Sequence, residues 1–200
     1  MIKTVIFDLG NVIAYFDETG IFKAWSDASG KSIPEIIKYY GGSSTRKSFE
    51  RGAISPSEFC SRTQEELNMK ISFNKFKKTW NGIFTLNEDV EKIIRSLKGR
   101  CRLVLLSNTN EWQYEYLRKK YSILEVFDEY VLSYKVKCRK PNPLIFLKAI
   151  RKAKTLPWNC AYFDDIPEFI FSARLLGIRA CQYKNVKKLK NDLNNLKILY

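Results

Sequence analysis

The sequence predicts an α/β fold: a parallel sheet with helices on both faces and an α-helical cap inserted after the first strand. Short, continuously apolar runs recur at Thr4–Phe7, Leu103–Leu106, Tyr130–Leu132, Ala161–Phe163 and Ile178–Cys181. Runs of this kind suit parallel strands buried on both faces. From residue 88 onward, segments with apolar residues at helical spacing separate them, the alternation of a doubly wound sheet. Between 16 and 87 the alternation breaks, leaving helical patterns and turns.

Thr4–Phe7 is β-branched and aromatic and ends in Asp8-Leu9-Gly10. The insertion reads as helices over Gly20–Ser29, Pro34–Tyr40, Ser57–Leu67 and Phe73–Ile83, with turns at Gly41-Gly42 and Gly52. Glu88–Leu97 places Val90, Ile93, Ile94 and Leu97 on one helical face. The second run ends in Ser107-Asn108, and Asn110 suits the N-cap of a helix over Glu111–Lys120. Asn142 and Pro143 suit the N-cap and first position of a helix reaching about Ala153. Ala161–Phe163 ends in Asp164-Asp165, and Gly177 closes a helix over Pro167–Leu176. The expected organisation is an α/β core of residues 1–15 and 88–200 and a helical cap of residues 16–87.

Of the 200 residues, 45% are hydrophobic and 28% charged, which excludes a low-complexity chain and argues against wholesale disorder. No histidine is present, so Ser-His-Asp and Cys-His catalysis and histidine-bearing zinc sites are excluded. The five cysteines form no CxxC pair, as expected of a reducing compartment. Asp8 interrupts the amino-terminal apolar stretch, and no apolar run approaches the ~18 residues of a membrane helix. A soluble, cytoplasmic chain with no membrane partner is expected.

The net charge is +14. Tyr130–Phe163 contains no Asp or Glu but holds Lys135, Lys137, Arg139, Lys140, Lys148, Arg151, Lys152 and Lys154, and a second cluster runs from Lys184 to Lys197. An anion- or nucleic-acid-binding face is one reading. A solvated basic surface is favoured over it, because no exposed aromatics interleave with the charges in a stacking pattern. Trp25, Trp80 and Trp112 are read as packing residues.

Ligands of open parallel sheets bind beyond the carboxyl ends of the strands, where several strands here carry chemistry. Asp8 has the character of a carboxylate nucleophile toward phosphorus. Adjacent carboxylates such as Asp164 and Asp165 repel and tend to be held by a cation, so they are candidate Mg²⁺ ligands with Asp8. The Ser107 hydroxyl and the Asn108 backbone amide suit phosphate oxygens. Lys140 suits neutralising the phosphate and keeping Asp8 ionised, and Pro141 keeps it out of helical conformation. The turn Glu50-Arg51-Gly52 offers substrate contacts, with Arg51 facing an anionic substrate.

VIFDLGNV, VLLSNTN, RKP and YFDD, in that order and spacing, resemble the four motifs of the haloacid dehalogenase superfamily of phosphotransferases. The resemblance covers the whole chain. FDLGNV, FERGAISPSEF and SNTNEW together look most like the bacterial α-D-glucose-1-phosphate phosphatase branch. The resemblance implies a Rossmann-like core, a cap over the substrate and a Mg²⁺-dependent phosphatase acting on a small phosphorylated metabolite, such as a sugar 1-phosphate. It also implies Asp8 as the phosphorylated nucleophile, Gly10 as a carbonyl ligand of Mg²⁺, Asp165 as a direct ligand and Asp164 as one acting through water. Gly10 stands where most of these phosphatases have the Asp that protonates the leaving group, which favours leaving groups needing little protonation. Asp17, Tyr15 or a cap residue is the alternative donor. Phe169 replaces an Asn that often supports metal and lysine. The alternative function is a catalytically weak relative binding anions or nucleic acid through its basic surface.

Overall fold

The computed structural model describes residues 1–198. The strands are β1 (Thr4–Phe7), β2 (Ala14–Phe16), β3 (Phe84–Leu86), β4 (Arg102–Ser107), β5 (Glu129–Leu132), β6 (Cys160–Asp164) and β7 (Arg179–Gln182). The cap helices are α1 (Thr19–Ser29), α2 (Ile33–Gly42), α3 (Ser44–Glu50), α4 (Pro56–Leu67) and α5 (Phe73–Asn81). The core helices are α6 (Glu88–Leu97), α7 (Glu111–Lys120), α8 (Ser133–Val136), α9 (Pro143–Ala153), α10 (Pro167–Leu175) and α11 (Val186–Asn195). Among the described residues no helix is long and apolar enough to cross a membrane, and the five cysteines are free.

Five strands form one parallel sheet in the order β5-β4-β1-β6-β7. Successive side chains of a strand point to opposite faces, and the core divides accordingly. Val5, Phe7, Leu103, Leu105, Ala161 and Phe163 pack with α6, α7 and α11 on one face. Ile6, Val104, Leu106, Cys160 and Tyr162 pack with α9 and α10 on the other. Burial on both faces is why these runs are continuously apolar. The central position of β1 places Asp8 between the ends of β4 and β6.

The expected cap helices form, with capping boxes at Ser32/Glu35 and Ser55/Glu58. The structure adds α3, α8 and α11, and an antiparallel β2–β3 pair in which Ala14 faces Leu86 and Phe16 faces Phe84. This pair carries the chain into and out of the helices. The cap has its own core around Trp25, Phe49, Phe59, Phe76 and Trp80, and Trp112 of α7 inserts into it. The three tryptophans are thus buried packing residues.

The cap also docks through its α3–α4 turn. Ser133 Oγ donates to Glu50 O (2.6 Å) or Thr109 O (2.8 Å) and accepts from Thr109 N (3.0 Å), and Lys137 Nζ donates to Gly52 O. Gly52 has φ +62°, and a Cβ there would overlap the Tyr134 carbonyl oxygen. Gly52→Ala should therefore destabilise the protein by about 1–3 kcal/mol. At roughly 2–4 °C of Tm per kcal/mol for a chain of this size, a thermal melt will show it. Gly30→Ala is the control: φ is +71° but nothing lies within 4 Å. Equal Tm losses in the two variants would show that cap docking does not depend on the close approach at Gly52.

Candidate active site

The ends of β1, β4 and β6 and the loop before α9 converge beneath the cap around a cavity of about 280 Å³. Asp8 follows β1, and its amide bonds to Phe163 O at 2.9 Å. Its Oδ1 accepts from Leu9 N at 2.7 Å. Lys140, with its side chain fully buried, lies 2.9 Å from Asp8 Oδ1 and 2.5 Å from Asp164 Oδ2. A buried ammonium is tolerated only where carboxylates compensate it, and here two do. Asn108 fixes the lysine's backbone, accepting from Lys140 N at 2.8 Å and donating to Lys140 O at 3.0 Å. Ser107 lines the cavity beside Asn108.

Asp164 is saturated with donors. Tyr162 OH and Lys140 Nζ bind its Oδ2, and Ile166 N binds Oδ1 at 2.9 Å. Asp165 lies on the cavity wall and accepts from Asn11 Nδ2 at 3.1 Å. Oxygens of Asp8, Asp164 and Asp165 lie within 4.8 Å of one another. Fully ionised, the three carboxylates would share one ammonium and leave two negative charges uncompensated. Burial pushes the Asp8 carboxyl up to about 8, with Asp164 adding to the rise and Lys140 opposing it. Burial also raises the Asp165 carboxyl, assisted by Asp164. A clustered, all-oxygen donor set short of two positive charges fits a hard divalent cation.

The cap side is polar too. Glu50 is held by two guanidiniums, with Arg46 Nη1 2.6 Å from Oε1 and Arg139 Nη2 2.7 Å from Oε2. Arg46 also donates to Tyr40 O at 3.0 Å and lies over the Tyr40 ring. Glu18, Tyr40, Arg46, Glu50 and Arg139 all line the cavity. Arg51 does not. It is exposed and donates to Ser48 Oγ at 3.4 Å. The arginines on the cavity wall are instead Arg46 and Arg139. Arg46 and Glu50 are four apart on α3 and share its inner face, whereas Arg51 lies one step round the helix.

A haloacid dehalogenase-like hydrolase family model matches residues 2–177. The chain belongs to that family. It is 26% identical to a D-ribitol-5-phosphate phosphatase of Bacteroides thetaiotaomicron, over 96% of this chain and 97% of the relative. It superposes on a haloacid dehalogenase family enzyme of Bacteroides thetaiotaomicron, solved with magnesium and inorganic phosphate, with a TM-score of 0.82 and 24% identity. That match covers 92% of this chain and 95% of the other. A predicted haloacid dehalogenase-like hydrolase of Porphyromonas gingivalis superposes with a TM-score of 0.85 at 22% identity, covering 100% of both chains.

In this haloacid dehalogenase-like hydrolase, aromatic rings flank the buried lysine. The Phe169 ring centroid lies 5.0 Å from Lys140 Nζ and the Tyr162 centroid 5.8 Å away, within cation–π range. Sequence reasoning missed Tyr162, which reads as one more apolar member of β6. It also missed Glu18, Arg46 and Arg139, since nothing in sequence separates a charge facing a cavity from one facing solvent. The basic stretch is dispersed: Lys140 and Arg139 enter the site, Lys137 holds the cap, and Lys152 pairs with Glu129 at 2.7 Å.

Proposed function

We propose that this hydrolase is a Mg²⁺-dependent phosphomonoesterase acting through an aspartyl-phosphate on Asp8. The observation that carries the reading is the buried Lys140 bridging Asp8 and Asp164, with Asp165 on the open cavity wall. Asp8, Asp165 and the Gly10 carbonyl would hold the cation, with Asp164 contributing through water. When bound, Mg²⁺ supplies the positive charge that the phosphoryl oxygens and clustered carboxylates lack. Lys140 orients Asp8 for in-line attack and offsets the charge of the phosphoryl group. The Ser107 hydroxyl and the Asn108 amide bind phosphate oxygens. Asp8 displaces the leaving oxygen, and water then releases phosphate.

The cavity is at the small end of ligand pockets, about 300–1,000 Å³, and its cap wall alternates carboxylates with guanidiniums. Both features suit the hydroxyls of a phosphorylated sugar or sugar alcohol. The glucose-1-phosphate phosphatase resemblance and Gly10 favour a sugar 1-phosphate, whose anomeric oxygen departs with little protonation. The similar D-ribitol-5-phosphate phosphatase supports a primary ester, which requires a proton donor elsewhere in the cavity.

The test is hydrolysis of 4-nitrophenyl phosphate, expected with Mg²⁺ and abolished by EDTA. Asp165→Ala should raise the Mg²⁺ concentration for half-maximal rate beyond the ~10–100-fold typical of losing an outer-sphere partner, and Asp164→Ala should raise it less. Full activity in EDTA would sink the metal assignment. An unchanged magnesium titration for Asp165→Ala would remove that residue from it.

A further inference from the structure

A primary alkyl phosphate needs a proton on its departing oxygen, and position 10 has no side chain to give one. The structure crowds any side chain there against the Phe16 ring. A Cβ on Gly10 would meet the Phe16 ring at 3.0 Å, tighter than an ordinary van der Waals contact. Phe16 belongs to β2, the strand leading into the cap, and pairing continues beyond it through Asp17 N to Ile83 O at 2.9 Å. Side chains alternate along the strand, with Tyr15 and Asp17 exposed and Phe16 partly buried, and Glu18, at the start of α1 in helical conformation, is partly buried too. Phe16 and Glu18 both line the cavity.

The other candidate donors are committed or excluded. Asp17 is exposed and accepts from Thr19 N at 2.9 Å. Tyr15 OH is bound by Asn87 Nδ2 at 2.7 Å. Neither lines the cavity. Both Glu50 oxygens are paired with arginines. Tyr40 lines the cavity, but burial raises its phenol far above the ordinary range, making it a poor acid. Asp8, Asp165 and Lys140 belong to the phosphoryl site. Resting on the phosphatase reading above, we infer that Glu18 is the general acid for the leaving group, replacing the side chain that Gly10 lacks.

The proton balance closes. As the Asp8 oxygen bonds to phosphorus, the bond from phosphorus to the ester oxygen breaks and its electron pair stays on that oxygen. The Glu18 carboxyl proton moves there, giving the free alcohol and a Glu18 carboxylate. In the second step, water attacks the aspartyl-phosphate and gives its proton to Glu18, restoring the acid, free Asp8 and phosphate. The surroundings suit this cycle. Burial raises the Glu18 carboxyl, Asp17 and Glu50 raise it further, and the Tyr40 hydroxyl and Arg46 pull it down. The net effect keeps it protonated to higher pH than an exposed glutamate.

The experiment compares wild type and Glu18→Gln on 4-nitrophenyl phosphate, whose phenolate leaves unaided, and on primary esters (D-ribitol 5-phosphate, glycerol phosphate and a hexose 6-phosphate). In the first turnover, which reads departure of the leaving group before water enters, Glu18→Gln should slow the primary esters by roughly 10²–10⁴-fold and leave the aryl ester within a few-fold. On primary esters, the wild-type kcat should fall as pH rises through the raised Glu18 pKa, and the variant should lose that limb. Equal losses on both substrate types would show a structural role and overturn the inference. So would an unchanged variant, or a wild type that hydrolyses the aryl ester and none of the primary ones. A wild type inert toward every ester with Mg²⁺ would overturn the phosphatase reading itself, and this inference with it.

Discussion

Asp8→Asn should lower kcat on any phosphate ester by roughly 10⁴-fold or more, on the scale of losing a covalent nucleophile. The fold should survive. The amide keeps the carbonyl oxygen that accepts from Leu9 N at 2.7 Å and faces Lys140 at 2.9 Å, and like the protonated carboxyl it brings no charge into the cluster. The sign of the stability effect follows from the Asp8 carboxyl. Burial raises it from 3.8 to about 8, so the folded state favours the protonated form. In metal-free buffer the wild type should lose stability as pH rises from about 4 toward 8, while the variant does not lose this component. Thermal melts in EDTA at pH 5 and 8.5 should show the variant's relative Tm rising with pH. Retention of a tenth of wild-type activity by the folded variant would reject covalent catalysis at Asp8.

How much of this was legible in the sequence depended on burial. Central parallel strands must be apolar on both faces, so β1, β4 and β6 announced themselves, with Asp8, Ser107 and Asp164 at their ends; the partly exposed edge strands β5 and β7 showed shorter apolar runs. The three-residue strands β2 and β3 did not, because each has one buried, one exposed and one partly buried residue, too short a pattern to show a period. Helix α3 has one large apolar residue, Phe49, stacked on Phe59 at 4.4 Å; its place is set by that tertiary contact. Helix α11 read as basic charge, yet Leu189 and Leu193, four apart, bury its inner face. The sheet side of the candidate site was legible because Asp8, Ser107-Asn108 and Asp164-Asp165 stand at strand ends in chain order, with Lys140 on the loop before α9. The cap side was not. Glu18, Arg46 and Glu50 come together only through the path of β2 and the packing of α3, and Arg51 differs from Glu50 by one step of a helix that sequence reasoning did not see.

Lys140→Met keeps the length of the side chain and removes its charge, and it should damage both stability and activity. In the folded protein Lys140 Nζ faces Asp164 Oδ2, Asp8 Oδ1 and Leu106 O, at 2.5, 2.9 and 3.4 Å. Removing one partner of a buried ion pair strands the other, with a loss of about 3–5 kcal/mol. At roughly 2–4 °C per kcal/mol, the metal-free Tm should fall by on the order of 10 °C. The loss should be largest above the raised pKa of Asp8, about 8, and shrink as pH falls, because protonated carboxyls need no counter-charge. Added Mg²⁺ should raise the variant's Tm more than the wild type's, since the cation then replaces the missing charge. A packing defect would show neither dependence: methionine fills the volume, and the neighbouring Phe169 and Tyr162 rings accommodate a thioether. Activity should drop by roughly 10²–10³-fold even at saturating Mg²⁺, the scale of losing one preorganised charge from a transition state. An unchanged Tm in EDTA at pH 8.5 would show that the carboxylates do not depend on Lys140. A Tm loss equal at pH 5 and 8.5, and unmoved by Mg²⁺, would reduce its role to packing.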